Sequence, residues 1–437
     1  MRPHVRSPLD GPYGATASHD GISFQASTGR VVIKAPGAAP TVTTLTSAFT
    51  FTGGNQSMYR GPSGLLIASA TNTPRIEYGS GGDVLGLLME ASRTNLALQS
   101  ADFATSWITS LATVSANTIT DPAGTTTADK IVESSGGTFH LVRQDVAIAA
   151  NTPHTFSIWA VAAGRTFCRV QFSDNTETNG AFVDVNLTTG ATGAVTTFGT
   201  GSAASVVMSQ YAGGLWRIQL TCTVDAASVT GRMQILLASA LGTVNYAGDG
   251  ASGIGLYGAQ LEAAKFASSY IPTTTVSVAR TADSCIRTLS TEFSATAGTV
   301  VVAGRTSGGQ DATLGQVIAE FNDGTGNERH TITRAAATDS QRYNMFDGGA
   351  LQSSLDGGAF GNLTMFKLGA AWALNDVAAS FNGAAVVTDS AATLPTVTQL
   401  GLASPSGAGG MAMNGHIRTF DYYPTRQPNE WLVARAT

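Results

Sequence analysis

Six histidines, His4, His19, His140, His154, His330 and His416, are the side chains best suited to metal or proton-transfer chemistry. None forms an HxH or HxxxH pair, and a metal site needs several convergent ligands, so no zinc or iron site is expected. Glycoside hydrolysis needs two carboxylates about 5 to 9.5 Å apart across a cleft. The densest acidic stretch is Glu320-Phe321-Asn322-Asp323-Gly324-Thr325-Gly326-Asn327-Glu328. Its Asp-Gly and Gly-Asn steps are turn dipeptides, so it reads as a solvated hairpin tip. Asp323 and Asn327 are the candidates there for a structural calcium held by side-chain and backbone oxygens, although the spacing is not that of an EF-hand loop. There is no G-x-S-x-G elbow and no Gly-Lys-Ser/Thr phosphate loop, and Gly248 to Gly258 lacks the strand-to-helix setting of a phosphate cradle. These residues predict no catalytic group and a chain that is not an enzyme.

Aromatic residues fit recognition better. Sugar rings have apolar faces that stack on Trp and Tyr, while their hydroxyls bond to Asn, Asp and Gln. Of Trp107, Trp159, Trp216, Trp372 and Trp431, Trp216 lies on an apolar strand face and reads as core. Trp159 shares its face with Thr155, Ser157 and Val161, and Trp107 follows Asp102-Phe103 in a loop-like stretch. Trp107 and Trp159 are therefore the candidate carbohydrate-binding residues.

The elements that must position them are strands. The chain has 437 residues, long enough for two or three domains. Hydrophobic residues make up 43%, enough for real cores, whereas charged residues make up only 12% against a usual share of about 25%. The surface must then be built largely from Thr, Ser, Asn, Gln and Gly, and Thr favours strands as Gly favours turns. Net charge is −5, and the lysines, Lys34, Lys130, Lys265 and Lys367, are far apart. Nucleic-acid binding needs clustered cations, so no nucleic-acid partner is expected. The opening MRPHVRSPLDGPYG has no apolar h-region, which predicts no Sec signal peptide, and no apolar run approaches the ~18 residues of a membrane span. Cys168, Cys222 and Cys285 are odd in number and widely spaced, and read as buried free thiols.

Three regions follow. Residues 1–91 are irregular, broken by Pro3, Pro8, Pro12, Pro36, Pro40, Pro62 and Pro74, with short strand-length apolar runs such as Arg30 to Ile33, Gly64 to Ile67 and Leu85 to Met89. Residues 92–282 alternate clearly: Trp216, Ile218, Leu220, Cys222 and Val224 point one way, and Phe156 with Ile158, Val183 with Val185 and Leu187, and Met233 with Ile235 and Leu237 repeat the pattern. Residues 283–437 carry the apolar run Val300-Val301-Val302, predicted hairpin turns at Asp347-Gly348-Gly349 and Asp356-Gly357-Gly358, a strand from His416 to Tyr423 and a short closing helix begun by Pro428. The fold expected is all-β: tandem antiparallel β-sandwiches, or jelly rolls, after an irregular β-rich N-terminal segment. No heptad or short strict repeat predicts a coiled-coil or β-helical shaft.

The order of motifs resembles bacteriophage structural proteins. Arg75-Ile76-Glu77-Tyr78 and Gly86 to Leu96, with Glu90-Ala91-Ser92-Arg93-Thr94-Asn95, are similar to a linker in such proteins. Ser100 to Trp107, Asp121 to Ile131, Phe156 to Ala160, Trp216-Arg217-Ile218, Gly258 to Glu262 and Ser269-Tyr270-Ile271-Pro272-Thr273 resemble a phage carbohydrate-binding-module-like jelly roll. Asn414 to Arg418, Tyr422-Tyr423-Pro424 and Trp431-Leu432 resemble a concanavalin or laminin-G-like lectin domain. The resemblance implies a virion component of a phage or gene transfer agent, assembled in the host cytoplasm and binding a host surface glycan. It implies a homo-oligomer, a trimer or a five-fold spike, docked to other virion proteins through residues 1–91. The missing shaft favours a compact spike, short fibre or fibre tip. A purely structural capsid or tail decoration, and a capsule depolymerase, are the competing readings.

Overall fold

The computed structural model describes residues 19–306, 315–336, 338–359, 361–406 and 411–437. Those residues are almost entirely strand, paired antiparallel except where Gln316 and Val317 run parallel to Met411 and Ala412. Among the described residues two short α-helices, Leu45–Ala48 and Asn429–Arg435, and a 3-10 turn, Ala212–Gly214, complete the regular structure; the closing helix is present as expected, with Pro428 just before its first residue rather than in it. Among the described residues no helix is long and apolar enough to cross a membrane.

The middle region is a sandwich of two six-stranded sheets. One runs Ile108–Ser110, Leu141–Ala147, Thr230–Ala238, Phe167–Asp174, Gly180–Asn186, Thr196–Phe198 in spatial order. The other runs Ala112–Ile119, Ala128–Glu133, Gly253–Glu262, His154–Ala163, Trp216–Thr223, Ser202–Gln210. The alternation read from the sequence sets which face closes inward. Ile218, Leu220 and Cys222 meet Phe156, Ile158, Val183, Val185, Met233 and Ile235 in one fully buried cluster. Each such side chain contributes about 1.5–3 kcal/mol on leaving water.

The last region is a second sandwich whose core centres on rings. Trp372 stacks on His330 at 4.4 Å between centroids, with Phe321, Tyr343 and Tyr422 around them. Burial without a compensating charge pushes the His330 imidazole down to about 3. All three cysteines are free and buried, as expected, and burial raises the Cys168 thiol to about 12.

Most of the N-terminal strands build this second sandwich. Gly21–Gln25 lies between Arg30–Lys34 and the C-terminal strand Gly415–Tyr423, which also pairs with Val84–Met89. Thr50–Thr52 pairs with Ser284–Thr288. Ile22, Phe24, Val31, Leu87 and Met89 enter the C-terminal core. Their partners stand hundreds of residues away along the chain, so no local pattern announces them. Pro3, Pro8, Pro12 and His4 lie outside the described residues.

Two turn readings differ in outcome. Asp347-Gly348-Gly349 is a hairpin turn, with Gly348 and Gly349 at φ of 58° and 78°. Asp356-Gly357-Gly358 instead continues the strand Ala350–Ala359. A Cβ on Gly357 would stand 2.1 Å from the Phe381 ring, so this glycine serves close packing.

Candidate functional site

The two candidate tryptophans are both in the interior, which corrects their assignment to sugar stacking. Trp107 tilts against Phe103 and donates from Nε1 to the carbonyl oxygens of Leu98 and Gln99. Trp159 does point away from the jelly-roll core, as its neighbours Thr155 and Ser157 predicted. It is nevertheless fully buried, edge-on to Tyr211, Tyr257 and Tyr270. The hairpin of Met58–Arg60 and Leu66–Ala68 covers this aromatic cluster. Leu66 is buried in it, Met58 packs against it, and Arg60 lies 3.6 Å from the Tyr211 ring centre.

The calcium candidates cap their own turn. Asp323 Oδ1 accepts from the Thr325 amide and hydroxyl, and the Asn327 amide donates to Thr325 Oγ1. Among the described residues no group of three or more His, Cys, Asp or Glu is gathered to hold a metal. Glu320 is not part of the solvated tip: it is buried and accepts from the Ser406 amide at 2.8 Å.

A tyrosine–carboxylate pair lies near the loop that precedes Gly253–Glu262. Tyr246 donates to Glu133 at 2.6 Å, and Arg165 and the Asp249 amide donate to the same carboxylate. Burial pushes the Glu133 carboxyl up, but these donors hold it below the usual range. Burial and the Glu133 charge push the Tyr246 hydroxyl up, away from a nucleophile. With its oxygens occupied by donors, Glu133 serves as a staple for the loop.

The residues behind the family resemblance converge on the joint between the sandwiches. Arg75 donates to Glu90 at 2.7 Å and to Asp283, and Ser269 donates to Glu90 through both its amide and its hydroxyl. Burial opposes the Glu90 charge, but Arg280 and Arg75 hold that carboxyl well below the ordinary range. Asn95 bonds the carbonyls of Ala259 and Ile271 and accepts the amides of Ala97 and Leu261. A cleft of about 410 Å³ opens here between Arg93, Thr94, Ala263 and Arg280.

The arrangement with recognition chemistry is elsewhere, on the outer face of the sheet containing Leu141–Ala147. Because Val142, Met233, Ile235, Val170 and Val183 point into the core, the alternating residues point out. Strand register sets Arg143 opposite Gln234, Gln234 opposite Gln171, and Gln171 opposite Phe182. On one side of this row Arg232 forks onto Asp145 with bonds of 2.7 and 2.8 Å and reaches Glu177 at 2.6 Å. On the other, Arg169 forks onto Asp184 at 2.8 and 3.0 Å and lies 3.7 Å over the Phe182 ring. Phe198 stands beside Phe182 at 6.3 Å between centroids. Bonding to Arg232 holds the Asp145 carboxyl below its usual range. Gln234 is 3% exposed, and its Oε1 is buried without a hydrogen-bond partner. Arg143 keeps 29% of its side chain exposed, with its nearest carboxylate, Glu177, 3.9 Å away. The sequence reading passed over these residues. Their signal was present in the opposite phase of the strands, where Arg and Gln take the place of Thr and Ser.

No protein-family model matches the chain, and no curated protein matches it in sequence. Solved structures do. The Ruminococcus gnavus IT-sialidase CBM40 bound to α2,6-sialyllactose is 14% identical, with a TM-score of 0.29 over 33% of this chain and 85% of that one. Domain 4 of AbnA, a GH43 arabinanase of Geobacillus stearothermophilus in complex with arabinotriose, is 11% identical, with a TM-score of 0.28 over 36% and 73%. The Trypanosoma rangeli sialidase is 9% identical, with a TM-score of 0.28 over 71% and 60%. The structural neighbours thus include carbohydrate-binding β-sandwich domains. Sialidases are among them as well, which corrects the expectation that the chain is not an enzyme.

Proposed function

We propose that this chain binds glycan through the outer face of the jelly-roll sheet, as an attachment component of a phage-like virion. The observation that carries the binding reading is the row Arg143, Gln234, Gln171, Phe182, set in register across four strands. Amide and guanidinium groups held on rigid strands suit hydroxyl recognition, and the ring at the end of the row suits a sugar's C–H face. Arg143 keeps 29% of its side chain exposed at the open end of the row, while Gln234 and Gln171 are 3% and 8% exposed and hold it from behind.

The virion assignment rests on the resemblance of residues 75–96 and of the jelly-roll motifs. In a particle, repeated copies multiply weak single sites without any new contact. Docking to other virion proteins and assembly as a homo-oligomer, with a trimer favoured, belong to this reading; the strands between Gly21 and Met89 also serve the chain's own sandwiches.

The test is a glycan-array screen of the full chain alongside the Arg143→Ala and Gln171→Ala variants. Binding by the parent that both variants weaken is the expected result. Retained binding in both would move the site elsewhere, and no binding at all would favour a purely structural decoration protein. Electron microscopy of particles labelled with an antibody to the chain tests its place in a virion.

A further inference from the structure

We infer that the two free edges of the jelly roll join head to tail between copies of this chain, closing a ring in which one β-sheet runs on from subunit to subunit. The inference rests on the homo-oligomer of the reading above and is independent of glycan binding.

The first argument is direction. The edges are the end strands Ala112–Ile119 and Ser202–Gln210 of one six-stranded sheet. Every step across that sheet is antiparallel, so its two end strands run in opposite directions. Copies in a common orientation, related by rotation about an axis along the strands, therefore bring the two edges together as a further antiparallel pair.

The second argument is the open ladder. In an antiparallel pair every second residue bonds its partner, and the residues between turn their amide and carbonyl the other way. Ser134 donates to the Leu111 carbonyl and Tyr211 to the Leu215 carbonyl, which fixes the phase at each edge. Ala112 and Val114 on one edge, and Val206 and Met208 on the other, thus turn their backbone groups away from the sheet. Gln210, next in the second series, already takes a donor on that side: Arg60 reaches its carbonyl at 2.8 Å. Bulges between Ser115 and Ile119 and between Ser202 and Ser205 confine the regular ladder to the stretches holding these four residues.

The third argument is charge. Proteins that keep a sheet edge single block it with charged side chains or Pro. Here the edges lie within Phe103–Thr120 and Val185–Trp216, runs of 18 and 32 residues without Asp, Glu, Lys, Arg or Pro, in a chain that is 12% charged. The strands just inside them do carry charge: Asp129, Lys130 and Glu133 beside one edge, Arg217 beside the other. The end strands of the facing sheet, Ile108–Ser110 and Thr196–Phe198, fall in the same two runs. Neither edge repels the other, and depletion of charge is the mark of an interface core. Val114 on one edge and Val206 and Met208 on the other pack on the core from its rim, half-buried, where a neighbouring strand would cover them.

A two-fold contact between like edges would leave the opposite edge as open as before. The head-to-tail contact consumes both, and three is the smallest number of copies that closes it.

The test is sedimentation of the full chain, of Thr113→Lys and Ser205→Lys, each at an exposed position of one edge, and of an equimolar mixture of the two variants. The parent should form one species of three or more copies, and each variant alone should fall to the monomer mass of 44.7 kDa. The mixture should form dimers and nothing larger, because the intact edge of each variant meets the intact edge of the other. Hydrogen exchange of the parent, diluted and assembled, should show the Ala112, Val114, Val206 and Met208 amides slowing on assembly, a readout that needs no variant to fold. A monomeric parent overturns both the inference and the homo-oligomer, and leaves glycan binding untouched. Oligomers retained by both folded variants, or unchanged exchange at the four amides, overturn the edge contact and keep the homo-oligomer. A dimeric parent, or a mixture that stays monomeric, overturns head-to-tail closure.

Discussion

Arg75 donates a 2.7 Å hydrogen bond to Glu90, with both side chains almost wholly withdrawn from water. Asp283 takes the other end of the same guanidinium, and Arg280 lies against Glu90 at 3.3 Å. The cluster ties the N-terminal strands, the jelly roll and the C-terminal sandwich to one point. Removing one partner leaves buried charge uncompensated, which typically costs 3–5 kcal/mol.

Arg75→Met should therefore lower stability by about 3–5 kcal/mol. Calorimetric unfolding should show the sandwiches melting apart as separate transitions. A single transition with unchanged midpoint would deny the cluster its role.

The hairpin over Trp159 gives a second expectation. Leu66→Ala should destabilise by about 2–5 kcal/mol. It should also open the aromatic cluster, so tryptophan emission should shift to the red and become accessible to acrylamide. Unchanged emission in the folded variant would mean that Leu66 does not seal the cluster.

Gln234→Leu separates recognition from folding. Removing a buried acceptor that has no partner should leave stability unchanged or raise it by about 1 kcal/mol. Glycan binding should still weaken. Parallel loss of stability and binding, measured by urea unfolding and titration, would assign Gln234 a structural role instead.

His330 sets an acid dependence. Its folded-state pKa is depressed to about 3 from 6.5, so the unfolded chain takes the proton first as pH falls. The stability it contributes is present above 6.5 and is lost as pH drops from there toward 3. The slope is up to about 1.4 kcal/mol per pH unit. Urea unfolding between about pH 7 and pH 4 should show His330→Gln losing less stability on acidification than the parent. Equal slopes would contradict a neutral buried imidazole.

Much of the jelly roll was legible because its strands alternate. Trp216 to Val224 named the inward face correctly, and that face is the core found. The same reading oriented Trp159 outward and stopped there. Its cover is the hairpin of Met58–Arg60 and Leu66–Ala68, about a hundred residues earlier in the chain. Nothing local to Trp159 encodes that contact. The N-terminal region looked irregular for the same reason: Gly21–Gln25 joins a ten-stranded sheet by pairing with Gly415–Tyr423.

By itself the sequence determined strand content, the inward side of each alternating strand, the free thiols and the joint motifs. These follow from period, composition and residue type, all of which are local. Tertiary structure decided which outward faces remain open. It placed Arg143, Gln234, Gln171 and Phe182 in one row through strand register, a property of pairs distant in sequence. It also closed the aromatic face that the sequence offered first. Whether an outward side chain meets water or another segment depends on where that segment returns, and strand alternation carries no record of it.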